Sequence, residues 1–191
     1  MRIVAGRMRG LVLKAGEGRD IRPTSDRARE SLFNLLAHGA EWQDQRTTTP
    51  AGMAVLDVFA GTGALGLEAL SRGATEVGFI ENDPAAQAVL RANLLRARAE
   101  IECRIHRTDA LKPGRAPRSH DLVLLDPPYR QGMGAPALAA LARNGWIAPG
   151  AIVVVETDAA EDFAWPDGFD ARDDRKYGRA RLRFARFRPG G

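Results

Sequence analysis

Residues 54–66 read AVLDVFAGTGALG, and this stretch decides the fold class. Its first half is a continuous apolar run interrupted by one acid, Asp57, which is typical of a buried strand. Its second half contains the pattern GxGxxG, in which Gly61, Gly63 and Gly66 lead into an apolar helix. Glycines let a ligand approach the backbone closely, and the start of a helix offers unpaired N–H groups. The stretch therefore predicts an α/β domain with a ligand-binding loop after its first core strand.

Strands and helices alternate along the rest of the chain. Apolar runs that predict further strands lie at residues 77–80, 101–105, 122–125 and 152–155. Helical patterns lie between several of them, at residues 65–73, 84–95 and 135–141. This alternation predicts a mostly parallel sheet with helices on both faces. Residues 179–187 alternate polar and apolar side chains and predict a final strand.

An acid follows the second predicted strand at the distance expected for a nucleotide site. Glu81 lies about 20 residues after the glycine loop, where its carboxylate can accept hydrogen bonds from both ribose hydroxyls. The pattern alone leaves a dinucleotide and S-adenosylmethionine as alternatives. Asp57 favours S-adenosylmethionine, because a carboxylate before the glycines can hold the ammonium of the methionine half but repels a pyrophosphate. Asp109, after the third predicted strand, is expected either to bind the adenine amino group or to cap a helix.

The sequence DPPY at residues 126–129 ends the fourth predicted strand. Pro127 and Pro128 lack N–H groups and therefore stop the strand. Asp126 is then expected at the carboxyl edge of the sheet, where ligands bind in open α/β folds. The Asp126 side chain and the carbonyl that follows can both accept hydrogen bonds from one amino group, while Tyr129 offers a flat surface for base stacking. The motif predicts a site for the exocyclic amine of a nucleobase.

The first 52 residues are predicted to form an extension to a core domain at 53–191. Residues 1–14 predict a small hairpin, because two short apolar runs flank a glycine-punctuated turn. A helix is expected to begin at the capping residue Thr24 and to end near His38. Residues 39–52 carry no usable periodicity, so we interpret them as a linker.

Basic residues are concentrated at the two ends of the chain. The formal net charge is +4, and 25 of the 28 Lys and Arg residues are Arg. Residues 1–30 carry eight basic and four acidic side chains, residues 172–191 carry eight and two, and the middle is acidic overall. A basic surface that faces nucleic acid explains this distribution. The residues expected to contact nucleic-acid phosphates are Arg7, Arg9, Arg19, Arg22, Arg181, Arg183 and Arg186.

Composition also argues against several protein classes. One cysteine, Cys103, excludes a framework of internal disulfides, and three scattered histidines give no metal-site spacing. No apolar run approaches the roughly 20 residues of a membrane span, and no apolar stretch typical of a signal peptide stands near Met1. We therefore expect a cytoplasmic protein without a dedicated metal site.

Several stretches resemble a known enzyme family. The motifs at 57–66 and 126–129 resemble those of class I S-adenosylmethionine-dependent amino-methyltransferases. RIVAGRMRG at 2–10, RPTSDRARESLFN at 22–34 and GLEALSRGA at 66–74 resemble the bacterial 16S rRNA guanine-N2 methyltransferases of the RsmD type. The similarity covers nearly the whole chain apart from residues 39–52. Tyr129 stands where this family often has Phe.

The resemblance implies a seven-stranded class I sheet whose last strand is antiparallel, with S-adenosylmethionine as cofactor. The substrate would be a guanine of small-subunit rRNA in an assembled or partly assembled 30S particle, and we expect a monomer. Asp126 and the Pro127 carbonyl would hold the guanine amine, with Pro128 and Tyr129 completing the catalytic motif. The implied cofactor-binding residues are Asp57, Gly61, Thr62, Gly63, Glu81, Asn82, Asp109 and Ala110, with Thr24 and Arg27 as candidates to cover the cofactor.

Three other functions stay open at this point. A DNA adenine or cytosine amino-methyltransferase shares both motifs, although such enzymes commonly add a target-recognition region for which 191 residues leave little room. A nicotinamide oxidoreductase shares the glycine pattern, but its reaction would not require the DPPY motif. A non-catalytic ribosome-assembly factor would keep the fold and bind RNA without turnover.

Overall fold

The computed structural model describes residues 1–15, 26–39, 41–42, 48–129 and 131–190, without the side chains of residues 26 and 27. Its helices are α1 (Asp26–His38), α2 (Ala64–Ser71), α3 (Pro84–Ala97) and α4 (Gly134–Arg143). Its strands are β1 (Ala54–Val58), β2 (Glu76–Ile80), β3 (Cys103–His106), β4 (His120–Leu125), β5 (Ile147–Asp158), β6 (Phe169–Tyr177) and β7 (Ala180–Phe187). Among the helices so described, none has the length and apolar character that crossing a bilayer requires.

The strands form one seven-stranded sheet in the order β3-β2-β1-β4-β5-β7-β6. The first five strands in this order run parallel, β7 is antiparallel to β5, and β6 is antiparallel to β7. This arrangement confirms the predicted seven-stranded α/β sheet with an antiparallel last strand. The chain moves outward from β1 to β2 and β3, then returns to the other side of β1 with β4. Such a switch in strand order opens a crevice at the carboxyl edge of β1 and β4.

Both faces of the sheet are covered, which explains the uninterrupted apolar runs of its central strands. All five residues of β1 are buried. Val55 points into one hydrophobic cluster with Leu67 of α2 and Leu90 of α3. Leu56, on the opposite face, joins a second cluster with Leu138 of α4. Successive strand residues alternate between faces, so a strand with two covered faces must be apolar throughout.

Three strands differ from the sequence prediction. The fifth strand was expected at 152–155, but β5 extends from Ile147 to Asp158. The third strand was expected at 101–105, but β3 begins at Cys103, and Ile101 stands 88% exposed in the preceding turn. The residue pattern predicts no strand at 169–177, where the structure has β6 with the strongly charged sequence FDARDDRKY. This edge strand is held by its pairing with β7, and its charges suit the unpaired edge of a sheet.

The amino-terminal residues fold back on themselves as predicted, but only as a tight antiparallel turn with one isolated bridge between Arg2 and Val12. Helix α1 ends at His38, as expected. Two residues of the predicted linker, Trp42 and Thr49, are buried. Trp42 is buried with its ring centroid 5.5 Å from that of Phe184, and Thr49 Oγ1 donates a hydrogen bond to the Trp42 carbonyl (2.6 Å).

The extension is attached to the core through the buried carboxylate of Glu68 on α2. Its oxygens accept hydrogen bonds from Val4 N (2.8 Å) and Ala5 N (3.0 Å), and from Arg72 Nε (2.8 Å). Arg29 Nε of α1 lies 3.6 Å from the same group, and the side chains of Arg29 and Glu68 are both 0% exposed. A buried charge is tolerated when it is paired and hydrogen-bonded in this way.

We expect Glu68→Gln to lower the free energy of unfolding by about 3–5 kcal/mol, because it leaves buried arginine charge without its counter-ion. Urea denaturation followed by circular dichroism measures the change. The matched control is Glu102→Gln, which breaks an exposed pair with Arg7 (2.9 Å) and should cost at most about 1 kcal/mol. Equal, small losses in both variants would contradict a central role for Glu68.

Candidate active site

The predicted site residues meet at one edge of the sheet. Because β1 to β5 are parallel, the segments that follow their carboxyl ends all lie on the same side. The glycine loop follows β1, Glu81 follows β2, Asp109 comes after β3, and Asp126 follows β4. Asp126 N donates a hydrogen bond to the Val58 carbonyl (3.3 Å), which ties the ends of the two central strands together.

The glycine loop leaves β1 through a run of left-handed backbone conformations. Phe59 has φ 61°, Gly61 φ 53° and Gly63 φ 77°. A positive φ is strained for a residue such as Phe59, and strain of this kind concentrates at functional sites. A Cβ on Gly61 would meet open space beyond the Phe59 carbonyl at 3.9 Å. A ligand can therefore approach the Gly61 backbone closely.

The other two glycines of the motif serve packing. A Cβ on Gly63 would stand 2.3 Å from Leu90 Cδ1, and one on Gly66 would stand 2.4 Å from Phe79 Cε1. Both distances are shorter than real Cβ contacts allow. Gly63 and Gly66 thus let α2 approach β2 and α3. Gly63 keeps its predicted cofactor role as an untested expectation.

Glu81 holds the glycine loop to the neighbouring strand end. Its Oε2 accepts a hydrogen bond from Gly61 N and its Oε1 accepts one from Asp83 N, both at 2.8 Å. The residue is 9% exposed. Two backbone donors therefore fix the carboxylate, and each oxygen has a further lone pair that can accept a hydroxyl proton.

A small cleft opens beside Glu81. Its walls combine apolar side chains with this one carboxylate, and they are formed by Phe59, Ile80, Glu81, Asn82, Thr108 and Ala110. Glu81, Asn82 and Ala110 were predicted from the sequence as site residues, whereas Phe59, Ile80 and Thr108 were not. Asp109, which was also predicted, does not line this cleft. Its Oδ1 accepts a hydrogen bond from Leu111 N (2.9 Å) and closes a turn. Its adenine contact stays a prediction.

Asn93 of α3 links the glycine loop to the amino-terminal extension. Its Nδ2 donates hydrogen bonds to the carbonyls of Thr62 (2.9 Å) and Lys14 (3.1 Å), and its Oδ1 accepts one from Lys14 N (2.7 Å). Asn93 is fully buried. No local sequence pattern points to this residue, since its partners lie 31 and 79 positions away.

The DPPY motif forms the other half of the site. Asp126 is half-buried, Pro127 is buried and Pro128 is exposed. Tyr129 Oη donates a hydrogen bond to Glu156 Oε1 (2.5 Å). Burial and this contact raise the pKa of Tyr129 above its ordinary value, so the phenol keeps its proton. Glu156 is 4% exposed and was missed from the sequence, because nothing local distinguishes an acid at the end of β5.

The basic residues of the extension are only partly described. Arg19, Arg22 and Thr24 lie outside the described residues, as does the side chain of Arg27. Arg7 pairs with Glu102, just before β3, and therefore lies towards the amino edge of the sheet. Arg9 is exposed in the amino-terminal turn.

The arginines of β7 do not form one surface. Arg181 pairs with Asp174 (2.7 Å) near the carboxyl edge, and Arg183 is bound by Asp174 (3.1 Å) while lying over the Phe163 ring. Arg186 lies farther towards the amino edge, where it donates to the carbonyls of Gly150 (3.0 Å) and Glu41 (2.9 Å). The three arginines therefore lie on different parts of β7, and the contact of each with RNA stays a prediction.

Asp57 lies beneath the glycine loop and is 1% exposed. Its Oδ2 accepts a hydrogen bond from Gly66 N (2.8 Å), which closes the turn from β1 into α2. Burial raises the pKa of Asp57 to about 8, while the Gly66 bond opposes the rise and the charge of Glu81 adds to it. In the absence of a cation, this carboxyl is therefore largely protonated at neutral pH.

We expect Asp57→Asn to gain stability relative to wild type as pH rises from 4 to 8. The folded wild type holds a proton that the unfolded chain releases near pH 4, so this group's contribution is present below pH 4 and lost as pH rises through 8. The asparagine does not titrate. Urea unfolding at several pH values measures the difference, and a pH-independent difference would contradict a raised Asp57 pKa.

Comparisons with known proteins agree with the resemblance noted in the sequence. Ribosomal RNA small subunit methyltransferase D of Haemophilus influenzae is 34% identical over 185 residues, which cover 93% of this chain and 89% of that protein. The Escherichia coli K12 protein of the same name is 37% identical over 159 residues, 83% of this chain and 75% of its own length.

Solved structures give the same result. An Escherichia coli structure assigned as a methyltransferase has a TM-score of 0.83 and 33% identity, and the match covers 100% of this chain and 99% of that one. A Haemophilus influenzae structure assigned as a methylase has a TM-score of 0.76 and 30% identity, with 98% of each chain covered. The model of the family described as conserved hypothetical protein 95 matches residues 1–186. The chain therefore belongs to this family, the one that the RsmD-type resemblance indicated.

Proposed function

We propose that this protein is an S-adenosylmethionine-dependent methyltransferase that methylates the exocyclic N2 amine of a guanine in small-subunit rRNA. One observation carries the proposal. The Glu81 cleft and the DPPY motif open at the same edge of the sheet, on either side of the glycine loop. Asp126 N donates a hydrogen bond to the Val58 carbonyl at the start of that loop. The site for the methyl donor and the site for the base that accepts the methyl group are therefore adjacent.

The residues around the cleft suit an adenosine group. The apolar side chains of Phe59, Ile80 and Ala110 offer a surface on which a flat base can pack, and the fixed Glu81 carboxylate can accept hydrogen bonds from two ribose hydroxyls. When bound, S-adenosylmethionine supplies an electrophilic methyl group on a positive sulfonium. Asp57 would hold its ammonium group, and the nearby positive charge would favour loss of the Asp57 proton.

The DPPY motif supplies two acceptors for the target amine. One is the Asp126 carboxylate and the other is the Pro127 carbonyl, which no donor reaches among the described residues. The amine of a nucleobase is conjugated with its ring and is a poor nucleophile. Two acceptors that hold both amine hydrogens favour the pyramidal nitrogen whose lone pair attacks carbon. Asp126 thus orients the amine, and Tyr129 stacks on the base.

The choice of substrate follows from the relatives. Two of them carry the name ribosomal RNA small subunit methyltransferase D. A guanine must leave its stack to reach the site, at an expected cost of a few kcal/mol. Contacts with RNA phosphates, for which Arg9 is an exposed candidate, would place the substrate without reading its sequence. We further propose that the enzyme acts as a monomer, in the cytoplasm, on a 30S particle.

We expect Asp126→Ala to lower kcat about 100-fold to 1000-fold, because the variant loses an acceptor that acts on the reacting amine. The dissociation constant for S-adenosylmethionine should change less than about threefold, since Asp126 is not in the cofactor cleft. Methyl transfer from radiolabelled cofactor and calorimetric titration measure the two quantities. Parallel losses of turnover and cofactor affinity would refute the assigned role.

For Glu81→Gln we expect the main loss in cofactor affinity and not in the orientation of the target amine. The variant replaces one carboxylate oxygen with an NH2 group that faces a backbone N–H donor, and it weakens the acceptor for the ribose. Cofactor affinity should fall about 10-fold to 100-fold, the range for loss of hydrogen bonds to a charged group. Glu102→Gln is the control, because that acid pairs with Arg7 towards the amino edge of the sheet and does not line the cleft. If both variants bind the cofactor like wild type, the cleft does not hold the adenosine.

The substrate assignment is tested by offering purified small ribosomal subunits, naked rRNA and duplex DNA in parallel with radiolabelled S-adenosylmethionine. Digestion should give N2-methylguanosine from the RNA of the subunit. Label on DNA adenine or cytosine would instead identify a DNA amino-methyltransferase. Absence of label from all three substrates, with the cofactor still bound, would point to the non-catalytic assembly factor.

A further inference from the structure

A second acid stands at the substrate edge of the sheet beside the DPPY motif. Leu125 of β4 pairs in parallel with Val155 of β5, so Asp126 and Glu156 are the next residues on adjacent strands. Residues that pair across parallel strands project to the same face of a sheet. Glu156 is nevertheless 4% exposed, whereas Asp126 is half-buried. Of these two neighbouring acids, Asp126 is the better placed to meet a substrate.

The Glu156 carboxylate makes its short contact with Tyr129 instead. The phenol Oη donates a hydrogen bond to Glu156 Oε1 at 2.5 Å. A carboxylate buried to this extent requires hydrogen-bond donors, so the contact stabilises Glu156 as well as orienting Tyr129.

This contact restrains the plane of the Tyr129 ring. Rotation of an aromatic ring about χ2 is broad when nothing opposes it. The O–H bond of a phenol stays in the ring plane because its oxygen is conjugated with the ring. An acceptor at a fixed position therefore restricts both the direction of the ring axis and the rotation about it. Glu156 is itself fixed, because its strand pairs with β4 on one side and β7 on the other.

We propose that Glu156 is a positioning residue, whose carboxylate holds the Tyr129 ring in the plane on which the substrate base stacks. The proposal rests on the proposed function, since it assigns Tyr129 as the stacking surface for the target base. Glu156 acts on catalysis through the tyrosine hydroxyl and not through contact with substrate. Loss of the contact should therefore impair use of RNA while leaving cofactor binding intact.

The first test needs no substrate. The chain contains two tyrosines, Tyr129 and Tyr177, so protein labelled with 3-fluorotyrosine gives two fluorine resonances that single substitutions assign. We expect Glu156→Ala to shift or broaden the Tyr129 resonance and to leave that of Tyr177 unchanged. Glu156→Gln, which keeps an acceptor oxygen, should preserve most of the wild-type signal. An unchanged Tyr129 resonance in Glu156→Ala would overturn the proposal.

The second test is a double-mutant cycle in the methyl-transfer assay. Glu156→Ala and Tyr129→Phe should each lower kcat/KM for the RNA substrate about 5-fold to 100-fold, with cofactor affinity within about twofold of wild type. The double variant should be no worse than the more impaired single variant, since both single substitutions remove the Tyr129–Glu156 hydrogen bond. Glu156→Gln should recover most of the activity.

Two comparisons separate positioning from other causes. Asp158→Asn alters a second buried carboxylate on the same strand, one that binds Ala160 N (3.0 Å), and should leave kcat/KM within about twofold of wild type. Multiplicative losses in the double variant would show that Glu156 acts independently of Tyr129 and would overturn the proposal. If wild type methylates no RNA, the proposed function fails, and the fluorine spectra still decide whether Glu156 holds the ring.

Discussion

The carboxylate of Glu68 is the contact on which the arrangement of this protein depends. In a bare sheet-and-helix domain the outer side of α2 would face water, yet every residue from Leu65 to Ser71 is buried. The amino-terminal extension covers that side, and Glu68 is the point where backbone N–H groups of the extension and two arginines converge. Ser71 strengthens the same junction, because its Oγ donates to the Ala5 carbonyl (2.5 Å) and accepts from Met8 N (2.9 Å). Helix α2, which begins at the glycine loop, is therefore held between the sheet on one side and the amino-terminal extension on the other.

The glycine loop itself is held in a similar way. Asp57 binds its end at Gly66, Glu81 binds its apex at Gly61, and Asn93 binds the Thr62 carbonyl between them. Each contact comes from a different strand or helix, so the loop is fixed from three directions. A site that is fixed by its surroundings loses little conformational freedom on binding, and this favours affinity. Since Asn93 also binds Lys14, the geometry of the loop depends on the extension being in place.

The parts of this architecture that are local in sequence could be predicted. The apolar run at 54–58, the glycines after it and the two prolines at 127–128 each act within a few residues, so the strand, the loop and the end of β4 were predicted correctly. Glu81 was predicted from its spacing, because a strand-helix-strand unit has a characteristic length. Glu156, Asn93 and Trp42 were missed, because their roles come from partners 27, 79 and about 140 positions away. Strand β6 was missed because it pairs with β7 at the edge of the described sheet, and its charged sequence has no apolar pattern that would indicate the pairing.

The distribution of charge along the sequence also does not show which arginines are paired in the folded protein. Residues 172–191 carry a large excess of basic side chains, which suggested an RNA-binding face. In the folded protein, β6 runs beside β7, and Asp174 binds both Arg181 and Arg183 while Asp170 lies near Arg172 and Arg188. Two aspartates thus meet four of the arginines, and Arg186 binds backbone carbonyls. An arginine engaged in this way must give up or share its partner before it can bind a phosphate, which lowers the net gain from the new contact. The count of arginines in this part of the sequence is therefore a poor guide to how many of them are available to bind a phosphate.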